Sequence, residues 1–212
     1  MNIAVSKWAR RRMPEILFPP LALRTFVETV SAQVGDDNLF AVLEKSALPP
    51  IHADLSAARA MDAGAAARAY ASLQKAMRLY YGRGARGMFL RIGAQWWPRL
   101  VATAPFGVRL QMAFARLLPS SARCKLALNI VARFLSATAG DISAHTLDRD
   151  FLLVDHTSPC TAGEHTSEPI CWATLGLVRE SLRWADSREF DVTETTCRAT
   201  GARQCEFKIV IG

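Results

Sequence analysis

Residues 194–207, ETTCRATGARQCEF, set two cysteines, two acids and two arginines around a single glycine. FDVTET (190–195) and CEFKIVI (205–211) on either side read as strands, and Gly201 in the joining ATGARQ loop is available for a tight turn. The stretch is therefore expected to be a hairpin whose Cys197 and Cys205 sulfurs approach each other across its loop. A disulfide, a metal site and a turn that merely contains sulfur are the three readings of it.

Working outward, TSEPICWATLGLVRESLRWADS (166–187) predicts a helix over 168–185, with Ser167 as N-cap and Pro169 in the first turn, where a missing amide hydrogen is tolerated. Cys171 would then sit among first-turn amide dipoles, which favour a thiolate. DFLLVDHT (150–157) reads as another strand. Glu194 precedes Cys197 by three residues, so in a regular strand the two side chains point to opposite faces. Binding one ion with both would require a bend or bulge near Thr195 to Cys197. Three thiolates and a carboxylate would satisfy tetrahedral zinc, but the C-x25-C-x7-C spacing lacks CxxC knuckles, and buried unreacted cysteines remain the alternative.

Upstream, up to about residue 138, the chain reads as helices separated by sharp punctuation. Leu21 to Val34 is apolar at helical spacing. Asp36 or Asp37 can cap a short helix from Asn38 to Ala47, stopped by Pro49-Pro50. Asp62 caps an alanine-rich helix that stops at Gly82. A further helix carries Met88, Phe89, Ile92 and Trp96 on one face and runs to about Trp97-Pro98. Ser120 or Ser121 opens another, with Cys124, Leu128, Val131 and Leu135 recurring on one side. The expected fold class is α+β: a helical N-terminal portion packed on a small antiparallel sheet with a C-terminal helix and hairpin. Residues 1–60 read as a helical extension and 61–212 as the ligand-binding unit, together one compact body.

At 212 residues and 50% apolar, the chain can bury a substantial core. The basic N-terminal flank is broken by Glu15 and Pro19-Pro20, which argues against a signal peptide, and no window of spanning length is free of charge. A cytoplasmic protein with reduced thiols is the expectation, and the odd count of five cysteines weakens a disulfide framework. Residues 1–147 hold 19 Lys+Arg against 8 Asp+Glu, whereas 148–212 hold 7 against 11. No acid occurs between Asp62 and Asp141, an interval with twelve basic residues, ten of them arginine. Such a segment attracts anions. It fits a solubilising surface packed against the acidic C-terminal part, a carboxylated ligand, or an anionic membrane face contacted peripherally. Nucleic acid is disfavoured, because no reading motif accompanies the charge.

GRGARG (82–87) matches the G-x-G-x-x-G pattern, but it follows a helix and no βαβ unit surrounds it, so a helix stop and turn is the reading. His52, His145, His156 and His165 make no paired helical spacing. No nucleophile-plus-base constellation is recognisable, and no catalytic residue is assigned.

SEPICWATLGLVRESL and ETTCRATGARQCEFKI resemble the end of the 4-vinyl reductase domain family, and YGRGARGMFLRIG (81–93) resembles a weaker family segment. The family includes proteins linked to bacteriochlorophyll synthesis and sensing modules of bacterial regulators that detect phenols, and it resembles TRAPP subunits in fold. The resemblance implies a structural zinc held by Cys171, Glu194, Cys197 and Cys205, with a local charge of −2 that Arg198, Arg203 or Lys208 would offset. Cys160 and Cys124 have no counterpart and read as ordinary thiols. The resemblance also implies a hydrophobic or aromatic ligand, a tetrapyrrole with propionates among the candidates, and a second copy of the chain as a further partner. Trp172, Trp184, Phe151 and Phe190, with Phe89, Trp96 and Trp97 upstream, would line the pocket or else form ordinary core. An enzyme or accessory of vinyl reduction, and a sensor module acting through a partner, are the rival readings; no nicotinamide or flavin fingerprint supports the enzyme.

Overall fold

The computed structural model describes residues 16–45 and 61–211. Pro49-Pro50, the expected helix end at Ala47, and His52 lie outside the described residues. The elements run α1 (Pro20–Val34), α2 (Asp36–Lys45), α3 (Ala63–Tyr81), α4 (Ala85–Ala102), α5 (Phe106–Phe114), α6 (Ser120–Leu135), β1 (Ile142–Leu147), β2 (Asp150–Asp155), α7 (Trp172–Asp186), β3 (Asp191–Thr196) and β4 (Cys205–Val210). The fold is α+β, as expected. The helix caps follow the sequence: the Asp62 side chain accepts from the Ala65 amide at 2.6 Å, and Gly82 ends α3. GRGARG is a short 3-10 turn leading straight into α4.

The four strands form one antiparallel sheet in the order β1-β2-β4-β3. Val192 and Glu194 of β3, Cys205, Phe207 and Ile209 of β4, and Phe151 and Leu153 of β2 are all buried, consistent with the period-two alternation of a sheet covered on one face. Helix α7 packs on β3 and α6 on β1, and α4 lies against α7. The α4–α7 contact is backbone to backbone. A Cβ on Gly93 would stand 2.1 Å from the Ala173 carbonyl oxygen, and one on Gly176 would stand 2.2 Å from the Leu90 carbonyl oxygen. Only glycine fits at either position.

Beyond α4, the aromatic rings of Phe18, Phe26, Tyr70 and Trp96 interlock, with Phe18 stacked on Tyr70 at 4.3 Å and Phe26 edge-on to Trp96 at 5.0 Å. Trp96 donates its indole N–H to Thr25 Oγ1 at 2.9 Å, which satisfies the one polar atom that this ring brings into the core. Residues of α1 thus share a core with α3 and α4.

Four local expectations need correction. Helix α4 does not end at Trp97-Pro98 but passes through Pro98 to Ala102. Trp96, Trp97 and Leu100 are buried on both sides of the proline, and their packing outweighs one lost intrahelical bond. Helix α7 begins at Trp172 with Cys171 as N-cap, so Ser167 and Pro169 lie ahead of it. The Cys171 amide donates to Glu194 Oε2 at 3.1 Å, and that tie holds the segment before Trp172 out of helical conformation. Helix α5 and strand β1 have no counterpart in the sequence reading. Strand β1 buries only Ile142, so it carries almost no apolar alternation, and its two-residue turn to β2 depends on Asp148 at positive φ.

Candidate metal centre

Three elements converge behind the buried face of the sheet. Cys171 caps α7, Glu194 points inward from β3, and Cys197 and Cys205 close the two ends of the hairpin loop. The register of β3 against β4 shifts between Glu194, paired with Phe207, and Thr196, paired with Glu206. That leaves Thr195 as the extra residue of a bulge, where the sequence requires one if Glu194 and Cys197 are to share an ion. Beyond the bulge, Cys197 leaves the strand, and Gly201 at positive φ turns the loop back toward Cys205.

One ligand atom from each of Cys171, Glu194, Cys197 and Cys205 lies within 4.8 Å of all the others, and all four residues are buried. The sulfur separations are 3.5 Å for Cys171–Cys205, 3.9 Å for Cys171–Cys197 and 4.0 Å for Cys197–Cys205. A tetrahedron with zinc–sulfur bonds of about 2.3 Å has edges of about 3.8 Å, so the sulfurs stand close to its corners. All five cysteines are free thiols, which removes the disulfide reading of the hairpin. Glu194 Oε1 is buried with no hydrogen-bond partner, the one orphaned atom of the cluster. A cation among the sulfurs would give that oxygen a partner.

Without a cation the cluster is electrostatically frustrated. Burial pushes the Glu194 carboxyl up to about 8, against the hydrogen bonds it receives from Cys171. Cys197 is held far below the ordinary thiol range because Cys171 and Cys205 both donate to it. Cys171, hydrogen-bonded to Cys160 and to its other thiol neighbours and fully buried, is pushed well up. Cys205 accepts from Cys171, yet donation to Cys197 and burial still push it up. One anion shared among several donors is what this environment tolerates unless a metal adds positive charge.

Ser158 and Cys160 are the neighbours that sequence reasoning missed. Ser158 Oγ stands 3.3 Å and Cys160 Sγ 3.4 Å from Cys171 Sγ. Both come from the turn after β2, which Asp155 builds by accepting from the Thr157 and Ser158 amides at 3.0 and 2.7 Å. The run Asp155-His156-Thr157-Ser158 is a legible turn signal, but nothing in it shows that the turn folds over Cys171. The Arg198 amide donates to Cys205 Sγ at 3.3 Å, while its guanidinium reaches the Thr157 carbonyl. Lys208 instead faces Asp150 at 4.0 Å and Arg203 is exposed, so neither offsets the cluster's charge. Cys124 is buried in α6 beside Asp186, apart from the other thiols.

The six aromatic residues expected around a ligand do not converge on one cavity. Phe89, Trp96 and Phe151 are buried in the core, and Trp172 is half-buried with its ring near Phe89. Phe190 lines a cleft of about 450 Å³ with Leu90, Ala94, Arg179 and Arg183. Trp184 lines a neighbouring cleft of about 550 Å³ with Trp97, Pro98 and Val101. Both clefts run along the α4–α7 seam. His145, His156 and His165 are all exposed, away from the thiol cluster.

Comparison with known proteins agrees with this geometry. The chain superposes on the NMR structure of an H-NOX domain from Shewanella oneidensis in the Fe(II)CO ligation state, with TM-score 0.54, 15% identity and coverage of 91% of this chain and 97% of that one. A crystal structure of an H-NOX protein from S. oneidensis in the Fe(II)NO state gives 0.53 at 12% identity, over 91% and 98%. The phenol-responsive sensory domain of the transcription activator PoxR, solved with phenol, gives 0.50 at 15% identity, over 68% and 73%. At these identities the likeness is one of fold. No curated protein matches the chain by sequence. The family model that matches is that of the 4-vinyl reductase domain, over residues 154–211. That span contains all four clustered donors, and by it the C-terminal part of this chain belongs to the 4-vinyl reductase domain family.

Proposed function

We propose that this chain is a small-molecule-binding domain whose C-terminal unit is clamped by a structural zinc ion on Cys171, Glu194, Cys197 and Cys205. The observation that carries the reading is the buried cluster itself: three unpaired thiols at tetrahedral spacing and a carboxylate with one orphaned oxygen, drawn from a helix cap and both ends of a hairpin. Four protein donors close the coordination sphere, so zinc here would hold structure and activate no water. It would neutralise the anionic donors and fix the start of α7 against the hairpin.

The ligand reading draws on the fold shared with H-NOX and PoxR domains and on the two clefts along the α4–α7 seam, whose volumes fall in the range of small-ligand sites. Leu90, Ala94, Trp97, Val101, Trp184 and Phe190 give these clefts apolar and aromatic walls, which suits a hydrophobic or aromatic molecule. Arg179 donates to the Val192 carbonyl at 2.8 Å and Arg183 pairs with Glu180, so the seam arginines already have partners. A carboxylated tetrapyrrole would have to displace them. The test is the absorption spectrum and organic extract of freshly purified protein, followed by titration with phenol and a porphyrin while monitoring tryptophan fluorescence. A bound chromophore identifies a tetrapyrrole, and quenching by phenol identifies a simple aromatic. An empty extract with no quenching by either would refute the ligand reading.

A further inference from the structure

We propose that α5 is a membrane-surface helix through which the protein docks on an anionic lipid face. The helix is apolar on both sides. Val108 and Met112 are buried and hold it to the body, yet Phe106, Leu110 and Phe114 on the opposite side are 70%, 44% and 58% exposed. Their i, i+4, i+8 spacing sets them in one outward stripe. The stripe continues past the helix into Leu117, 81% exposed, and Leu118. A helix that is apolar all round is normally buried, and single exposed leucines are ordinary, but a continuous outward row of two phenylalanines and two leucines marks a contact surface.

Charge selects the occupant. Arg109 and Arg116 are exposed on and just beyond this helix, and the sequence from 63 to 140 contains no acid at all. Two copies of the chain meeting through this face would bring like charges together, which disfavours a homodimer here. A protein partner would need polar groups within the stripe to fix its register, and the stripe offers none. A bilayer surface needs only what the helix provides: a short apolar ridge to enter the boundary between headgroups and chains, and cations to meet anionic headgroups. Trp184, partly exposed, shares a surface depression with Ala115, Arg116 and Arg123 directly beside the ridge. Interfacial depth is where tryptophan is favoured. Trp184 also lines the larger seam cleft, so a ligand dissolved in the bilayer would meet that cleft next to the docking ridge.

The test is co-sedimentation of the full chain with phosphatidylcholine vesicles, with and without phosphatidylserine. Binding is expected with phosphatidylserine, weakening as salt rises, and much less without it. The variant F106S/L110S/F114S/L117S should bind about tenfold or more weakly, and R109Q/R116Q should lose the preference for phosphatidylserine. Brominated phosphatidylserine should quench Trp184 fluorescence in the unaltered protein, a readout that requires no variant to fold. The proposal is overturned if the unaltered protein stays in the supernatant with phosphatidylserine vesicles, or if the four-serine variant, folded by circular dichroism, binds as well as the parent. It is equally overturned if those four substitutions abolish a dimer seen by light scattering in the absence of lipid, which would assign the ridge to a second copy.

Discussion

Replacing Gly93 by alanine puts a better helix former into α4, yet the structure predicts destabilisation. The new Cβ would lie 2.1 Å from the Ala173 carbonyl oxygen and 2.7 Å from the Leu177 amide nitrogen, where ordinary contact begins at 3.4 Å. Both obstacles are backbone, so no side chain can swing aside and the two helices must part by about 1 Å. Overpacking of this kind costs about 1–3 kcal/mol, against a propensity gain of about 0.8–1 kcal/mol. The net loss should be about 1–2 kcal/mol, or roughly 2–8 °C in Tm for a chain of this size. Gly87, in the first turn of the same helix, has nothing within 4 Å of its would-be Cβ, so Gly87→Ala should be neutral or stabilising by a few tenths to about 1 kcal/mol. Urea unfolding of the pair reads the difference. Because Ala173 lies two residues from Cys171, Gly93→Ala should also loosen retention of the metal. If Gly93→Ala proved as stable as Gly87→Ala, the backbone contact between α4 and α7 would be wrong, and with it the position of the cysteine cap.

Other consequences are more local. Thr25→Val leaves the buried Trp96 indole N–H without an acceptor and should cost about 1–3 kcal/mol in chemical denaturation, with little change in volume. For metal-free protein, the Glu194 carboxyl, raised by burial to about 8, favours the folded state while protonated. Its contribution is full below its unfolded value near 4.5 and is lost as pH rises through about 8, an upper bound of roughly 5 kcal/mol. Zinc requires the carboxylate and thiolates, so its retention should weaken as pH falls. Unfolding curves with and without chelator across this range should therefore slope in opposite directions, and parallel slopes would contradict the site. Cys160→Ala removes a sulfur that faces Cys171 outside the four donors, so the variant should keep its metal stoichiometry while Cys171→Ser does not.

Much of the site was legible because its signals are local. The cysteines, the glycine turn and the requirement for a bulge between Glu194 and Cys197 follow from spacing and strand periodicity alone. The start of α7 was misplaced because Ser167 and Pro169 make a sound local cap, but the Cys171 amide is claimed by Glu194, twenty-three residues away. Cys160 looked ordinary because its role depends on a turn folding across a helix cap. The aromatic residues carried no positional information: Trp96 and Trp184 look alike in sequence, yet one is sealed among Phe18, Phe26 and Tyr70 and the other borders a surface cleft. Helix α5 escaped notice for the reason that makes it interesting. Apolar residues on both faces blur the helical period that would announce it.

The central claim is the closed metal centre, and elemental analysis of untagged, freshly purified protein tests it most directly. The structure predicts about one zinc per chain, lost together with thermal stability in Cys197→Ser. Well under half an equivalent of zinc in the parent, with Cys197→Ser as stable as the parent, would contradict it.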